Sequence, residues 1–370
     1  MTKPVGRWIR RLTLAGLLLC FGVVVLGAYV RLTAAGLGCP DWPGCYGQAT
    51  PLGAAQSAAA QAAFPNRPLD VGKAWREMIH RYAASTLGLI IVSIAALVIA
   101  QRNRVGAPTG ITAGSGARAG PGNLAGTGVG ATTRGPGIPY ALVLLATVVF
   151  QGVLGMLTVT WQLKPLIVTS HLVFGLTTLG LLWWLWLSLR APTGWSGSVA
   201  GAATNAVGTL ALVGLIALGV QIVLGGWTSS NYAAIACPDF PRCQNQWWPA
   251  TDYGDAFVLW RGLGINYEGG ILDNPARVAI HLTHRLGALV ASITLALAAL
   301  MALLRPASKR VRRCAGWVLA ALVLQLTIGI SMVVRGFPLW LATAHTAGAA
   351  LLLLTVLALL RAVRPQAGVA

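Results

Sequence analysis

Acidic residues are scarce in this chain: eight Asp and Glu stand against 27 Lys and Arg in 370 residues. Charge of either sign is thin at 9%, whereas 56% of the residues are hydrophobic and the mean hydropathy is +0.71. Such a composition reads as a polytopic membrane protein rather than a soluble one. The formal charge of +19 would suggest a nucleic-acid partner, but the placement of the charges excludes that reading. Lys3, Arg7, Arg10 and Arg11 precede the first apolar run. Arg102, Arg104, Arg118 and Arg134 lie between the second and third, and Arg305, Lys309, Arg310, Arg312 and Arg313 between the sixth and seventh. None of these segments contains an acid. The eight acids, Asp41, Asp70, Glu77, Asp239, Asp252, Asp255, Glu268 and Asp273, all fall on the opposite side. The basic excess is therefore a topology signal that places both termini in the cytoplasm.

A helix needs about 20 apolar residues to cross a bilayer. Eight runs qualify, at about 12–32, 77–101, 139–161, 166–189, 205–229, 277–303, 314–335 and 338–360. They are far longer than barrel strands, and only helices or closed barrels satisfy their backbones in lipid. The first run exceeds a signal-peptide core, and its end is copied later in the chain, so it is expected to remain in the mature protein.

Leu26-Gly27-Ala28-Tyr29 leads to Cys39-Pro40-Asp41-Trp42-Pro43-Gly44-Cys45, and Leu224-Gly225-Gly226-Trp227 leads with the same spacing to Cys237-Pro238-Asp239-Phe240-Pro241-Arg242-Cys243. Gln151-x-x-x-Gly155 precedes His171 as Gln325-x-x-x-Gly329 precedes His345. The expected fold is thus an all-α polytopic membrane protein whose eight helices form two parallel-repeat four-helix bundles. The halves are 1–190 and 205–370, joined by a linker at 191–204. Residues 105–138, mostly Gly, Ala, Thr and Pro, read as a flexible cytoplasmic linker. The two external loops, about 33–76 and 230–276, are long enough to suggest function, and the Ala/Gln stretch at 54–63 suggests a surface helix. Trp residues gather near both interfaces, as in an aromatic belt.

There are five histidines, His80, His171, His281, His284 and His345. All are expected within roughly two turns of the outer ends of the even-numbered spans, about 5–12 Å below the surface at 1.5 Å per residue. Zinc would normally take four ligands, commonly including Cys. Two imidazoles on facing helices suit a haem, whose iron takes its other ligands from the porphyrin. The natural pairs are His80 with His171 and His284 with His345. Arg81 and Arg285 follow their histidines and are candidates to hold haem propionates, or to snorkel to the headgroups. Glu77 stands three residues before His80, where His281 stands before His284. A carboxylate one turn from an axial ligand would reach a haem edge, as a base or a charge stabiliser, or would answer the helix dipole. The pairs Cys39/Cys45 and Cys237/Cys243 lie on the side where disulfides persist, as staples or as labile redox groups. Cys20 and Cys314 are expected to be unpaired.

Glu77-x-x-His80-Arg81, the two Cys-Pro-Asp-aromatic-Pro-x-Cys loops and His345 in the final span resemble the haem A synthase family, across nearly the whole chain except 105–138. The resemblance implies oxidation of the C8 methyl of haem O to a formyl group, giving haem A for cytochrome oxidase. It implies a substrate haem between His80 and His171, a haem b cofactor between His284 and His345, Glu77 as the catalytic carboxylate, and Cys39 and Cys45 as a functional pair. Only some members carry the second cysteine pair. The implied setting is a bacterial-type inner membrane, with the haem sites near the extracytoplasmic face. The implied partners are membrane lipid, haem O synthase and oxidase assembly factors, with homo-oligomerisation left open. The alternative is a two-haem, quinol-linked electron-transfer cytochrome, which needs the histidines but not Glu77. A transporter built on parallel repeats is a third class.

Overall fold

The computed structural model of the protein describes residues 3–106, 137–190 and 202–364. The linkers expected at 105–138 and 191–204 lie largely outside the described residues. Among the described residues eight helices are long and apolar enough to cross a membrane, and there is no β-sheet. These are α1 (Lys3–Leu32), α4 (Val71–Gly106), α5 (Ile138–Thr160), α6 (Pro165–Leu189), α7 (Ala202–Ser230), α9 (Asn274–Leu304), α10 (Lys309–Val334) and α11 (Leu339–Val363). The protein is an integral membrane protein.

Each span lies where an apolar run was expected, but several begin earlier. Asp70 Oδ1 accepts the Lys73 amide hydrogen at 2.9 Å and opens α4 ahead of its apolar stretch. Pro275 in the first turn opens α9, and Ser308 Oγ caps α10 through the Val311 amide at 3.3 Å. Apolarity marks where lipid begins, whereas capping residues mark where the helix begins. The expected surface helix is split into α2 (Pro51–Gln56) and α3 (Ala58–Ala62), because Ser57 ends one and caps the other through the Ala60 amide.

α1 packs on α4 and α6, and α5 on α4 and α6; α9 packs on α7 and α10, and α11 on α7 and α10. A seam of α1 with α11, and of α6 with α7 and α11, joins the two groups. The seam runs through a continuous core that includes Leu17, Leu176, Leu179, Leu218 and Leu359. Small residues allow close approach: Gly16 faces Ile90 and Leu182, Gly180 faces Leu357, and Gly226 faces Thr169 and Leu172. Outward positions such as Leu89, Val149, Ile216, Leu289 and Val323 are exposed and apolar, the surface that lipid requires.

The segments 33–70, 161–164, 231–273 and 335–338 gather at one end of the helices. Arg31 donates to Ser229 O at 2.9 Å, the Tyr267 amide donates to Gln162 O at 3.1 Å, and Arg67 pairs with Glu268 at 3.1 Å. The short helix α8 (Tyr253–Ala256) lies in the third of these connections in space, capped by Asp252. All the histidines lie toward this loop end.

Candidate active site

Glu77 is buried in the second turn of α4, 4% exposed. An ionisable group buried there is costly unless its oxygens are satisfied. Its Oε2 accepts the Cys39 amide hydrogen at 2.9 Å, and its Oε1 accepts from Arg81 at 2.5 Å. Arg81, one turn further along α4, also donates to the carbonyls of Asp41, Pro43 and Gly44, at 3.0, 3.2 and 2.6 Å. The guanidinium thus ties the carboxylate to the loop closed by the Cys39–Cys45 disulfide. Both cysteines are fully buried. Asp41 completes the loop by accepting the Tyr46 and Gly47 amides at 2.6 and 2.8 Å.

Behind Glu77 on the same helix, the His80 ring stands with its centroid 6.4 Å from that of His171 on α6. Each ring lies against a glycine of a neighbouring helix. A Cβ at Gly27 would come within 2.9 Å of His80 Cε1, and one at Gly155 within 3.4 Å of His171 Cε1. The Nδ1 atoms of both rings are buried without a partner. Gln151 Nε2 donates to His171 O at 2.9 Å, bracing that turn of α6 against α5.

The second group of helices repeats many of these contacts. His284 lies against Gly225 and His345 against Gly329. Gln221 Nε2 stands 3.0 Å from His284 Nδ1, and Gln325 Nε2 stands 3.3 Å from His345 Nδ1. Cys237–Cys243 is a disulfide, and Arg285 donates to the carbonyls of Cys237, Asp239, Pro241 and Arg242. His281, in the place of Glu77, has its Nδ1 3.2 Å from Ala233 O and its ring edge-on to Phe337.

The family model of the COX15-CtaA cytochrome oxidase assembly proteins matches residues 10–357. The chain belongs to this family. It is 40% identical over 352 residues to a haem A synthase of Shewanella oneidensis, with 94% of each chain covered. It is also 28% identical to one of Rhizorhabdus wittichii, with 92% of this chain and 89% of that one covered. Against one of Methylobacterium radiotolerans it is 27% identical, with 88% and 82% covered.

On this family member the expected site residues fall into two clusters at the loop end. Glu77, His80, Arg81, Cys39 and Cys45 meet His171 in one, and His284, Arg285, His345, Cys237 and Cys243 form the other. His281 turns its Nδ1 to the loop carbonyl of Ala233. Among the described residues no three His, Cys, Asp or Glu side chains converge as a metal-ion site. His80 and His284 stand about 2.5 and 2.8 turns into their helices, about 14 and 15 Å at 1.5 Å per residue, further from the helix start than the two turns expected, because α4 and α9 begin ahead of their apolar stretches. Sequence reasoning missed the loop-capping work of Arg81 and Arg285, and the glycine against each ring. Its signals were present: each Arg follows its histidine, and each Gly belongs to a motif visible as a repeat.

Proposed function

We propose that the chain is a haem A synthase, an oxidoreductase that converts the C8 methyl of haem O to a formyl group in the half formed by α1, α4, α5 and α6. In this reading His284 and His345 hold a haem b in the other half. The two four-helix groups are parallel repeats, with both termini cytoplasmic and the loop end extracytoplasmic. The charge distribution and the paired loops support that orientation.

The residues fit a haem. Two metal–imidazole bonds of about 2 Å each, plus roughly 1.1 Å from each bonding nitrogen to its ring centroid, separate axial imidazole centroids by about 6 Å. The separation of His80 and His171 is 6.4 Å. Haem b, when bound, supplies one-electron redox chemistry that can relay electrons from the substrate half.

The observation that carries the reading is Glu77, a buried carboxylate one turn from His80 and fixed at both oxygens. Taking a ring methyl to a formyl group removes electrons and protons from one carbon and adds an oxygen, so it draws on an external electron acceptor and an oxygen donor, and positive charge builds beside the macrocycle as the electrons leave. A carboxylate aimed before the reaction stabilises that charge without reorganising. Arg81 and the Cys39 amide set its direction, while His80 and His171 set the height of the ring. Cys39 and Cys45 serve the site through the same bond, since their disulfide holds the amide that orients Glu77. The burial of Glu77 strengthens each of these interactions.

Glu77→Gln keeps the shape and removes the charge. The purified variant is expected to keep its haem complement, accumulate haem O and make about a hundredfold less haem A, read by chromatography of extracted haems. Unchanged haem A output would remove Glu77 from the mechanism. Extracted haem b alone, with neither haem O nor haem A, would favour the electron-transfer cytochrome.

A further inference from the structure

We infer that Arg76 is the anion-binding residue of the substrate pocket and holds a propionate carboxylate on the edge of the haem substrate. The assignment rests on the N-terminal half being the substrate site. At 100° per residue, Glu77 stands about 60° to one side of His80 around α4, and Arg76 about 40° to the other. The two residues flank the histidine, one turn nearer the loop end. A planar macrocycle held by His80 therefore has a carboxylate on one side of its ligand and a guanidinium on the other.

Arg76 has no protein partner for its hydrogen bonds. Its Nε is buried without an acceptor, and among the described residues it makes no hydrogen bond and no ion pair. Asp70 feels its charge, but the Asp70 carboxylate is exposed and is spent on capping the Lys73 amide. Two other arginines at the loop end are engaged: Arg81 serves Glu77 and three loop carbonyls, and Arg31 serves Ser229 and lies over the Tyr232 ring, 4.1 Å from its centroid. A half-buried guanidinium with unused donors calls for an anion, and its planar fork matches a carboxylate in two parallel bonds. The position that corresponds to Arg76 before His284 is Ile280, fully buried and apolar. The second half has no guanidinium at this position.

The test is a titration of purified full-length protein, made in cells lacking haem O, with haem O and with its propionate dimethyl ester. The readout is the Soret band. Wild type is expected to bind the diacid about 10- to 100-fold more tightly than the ester. Arg76→Gln is expected to bind both alike, at the ester's affinity, and Arg76→Lys to recover part of the preference. The haem spectrum of the other half reports that each variant is folded. An undiminished diacid preference in Arg76→Gln would overturn the assignment while leaving the site reading intact, and would mark Arg76 as a ligand of lipid phosphate or a structural residue. If His80→Ala combined with His171→Ala leaves the haem O titration unchanged, the site reading fails, and the Arg76 assignment with it.

Discussion

The loop closed by Cys39–Cys45 and the loop closed by Cys237–Cys243 are built alike around different centres. In each, an aspartate accepts two backbone amides: Asp41 those of Tyr46 and Gly47, and Asp239 those of Gln244 and Asn245. In each, the arginine after the deep histidine gathers the loop carbonyls. What differs lies one turn above the histidine. Arg76 and Glu77 occupy the first half, Ile280 and His281 the second. The glutamine that braces the second deep histidine, Gln221, gives way to Val23 on α1 in the first half. The shared parts are scaffold, held by hydrogen bonds that any bound group would leave in place. The unshared parts are charge in one half and neutral packing in the other, and the proposed chemistry sits with the charge.

If that division is right, the same arginine substitution should cost more in the first half. Arg81→Ala would leave Glu77 buried with its ion partner gone, in a pair whose side chains are only 13% and 5% exposed. Losing one partner of such a pair costs about 3–5 kcal/mol. Arg285→Ala removes charge-assisted hydrogen bonds to loop carbonyls and a favourable charge near Asp239 but leaves no buried carboxylate unpaired, a loss of about 1.5–3 kcal/mol. Thermal unfolding in detergent is expected to show the larger fall for Arg81→Ala, and Arg81→Ala combined with Glu77→Gln should regain part of it. Equal losses would show that Arg81, like Arg285, is only a loop clasp.

Much of this contrast was legible in the sequence, because the features that show in a sequence are periodic or costly. Runs of about 20 apolar residues have few places to go, so the eight spans appeared where they were expected. Charges inside such runs stand out, which brought Glu77 and the five histidines forward at once. The helix ends were less legible, since Asp70 and Ser308 set them by capping and not by apolarity. The contacts of Arg81 and Arg285 were hidden for another reason. An arginine beside a proposed haem ligand has several plausible acceptors, and only the fold of the cysteine loop shows that backbone carbonyls take its donors. Lys164 gave no signal at all, being a lone lysine between two helices.

Lys164 belongs to a second difference between the halves. The connection from α7 to α9 carries an arm that reaches over the first half, where it meets Lys164 and pairs through Glu268 with Arg67. Lys164 is 2% exposed, donates to Gly262 O and lies under the Trp260 ring, 3.3 Å from its centroid. Burial pushes its ammonium pKa below the ordinary lysine value, and the aromatic face partly offsets that cost. Trp260→Ala is expected to lower stability by about 1–2 kcal/mol, a fall in Tm on the order of 2 to 4 °C, with the haem spectra unchanged. A change confined to the spectrum of the haem proposed for the first half would show that the arm helps to shape the proposed substrate site.

The smallest effect is expected in the second loop, where Asp239 caps without a buried carboxylate nearby. Burial works to raise the Asp239 pKa, but the Asn245 and Gln244 amides and the Arg285 charge outweigh it, and the pKa falls below its ordinary 3.8. A carboxylate with a depressed folded pKa stabilises the loop fully above its unfolded value and ceases to do so as pH falls through the folded one. The rate of Cys237–Cys243 reduction by a phosphine, read by thiol labelling after return to neutral pH and divided at each pH by the rate for an unstructured disulfide peptide, should therefore be low and constant from pH 6 to about 5 and rise below 3.8. In Asp239→Asn the acceleration should vanish and the rate should be high throughout. An unchanged profile in that variant would mean that Arg285 alone closes the second loop, and the likeness of the two loops would then stop at their arginines.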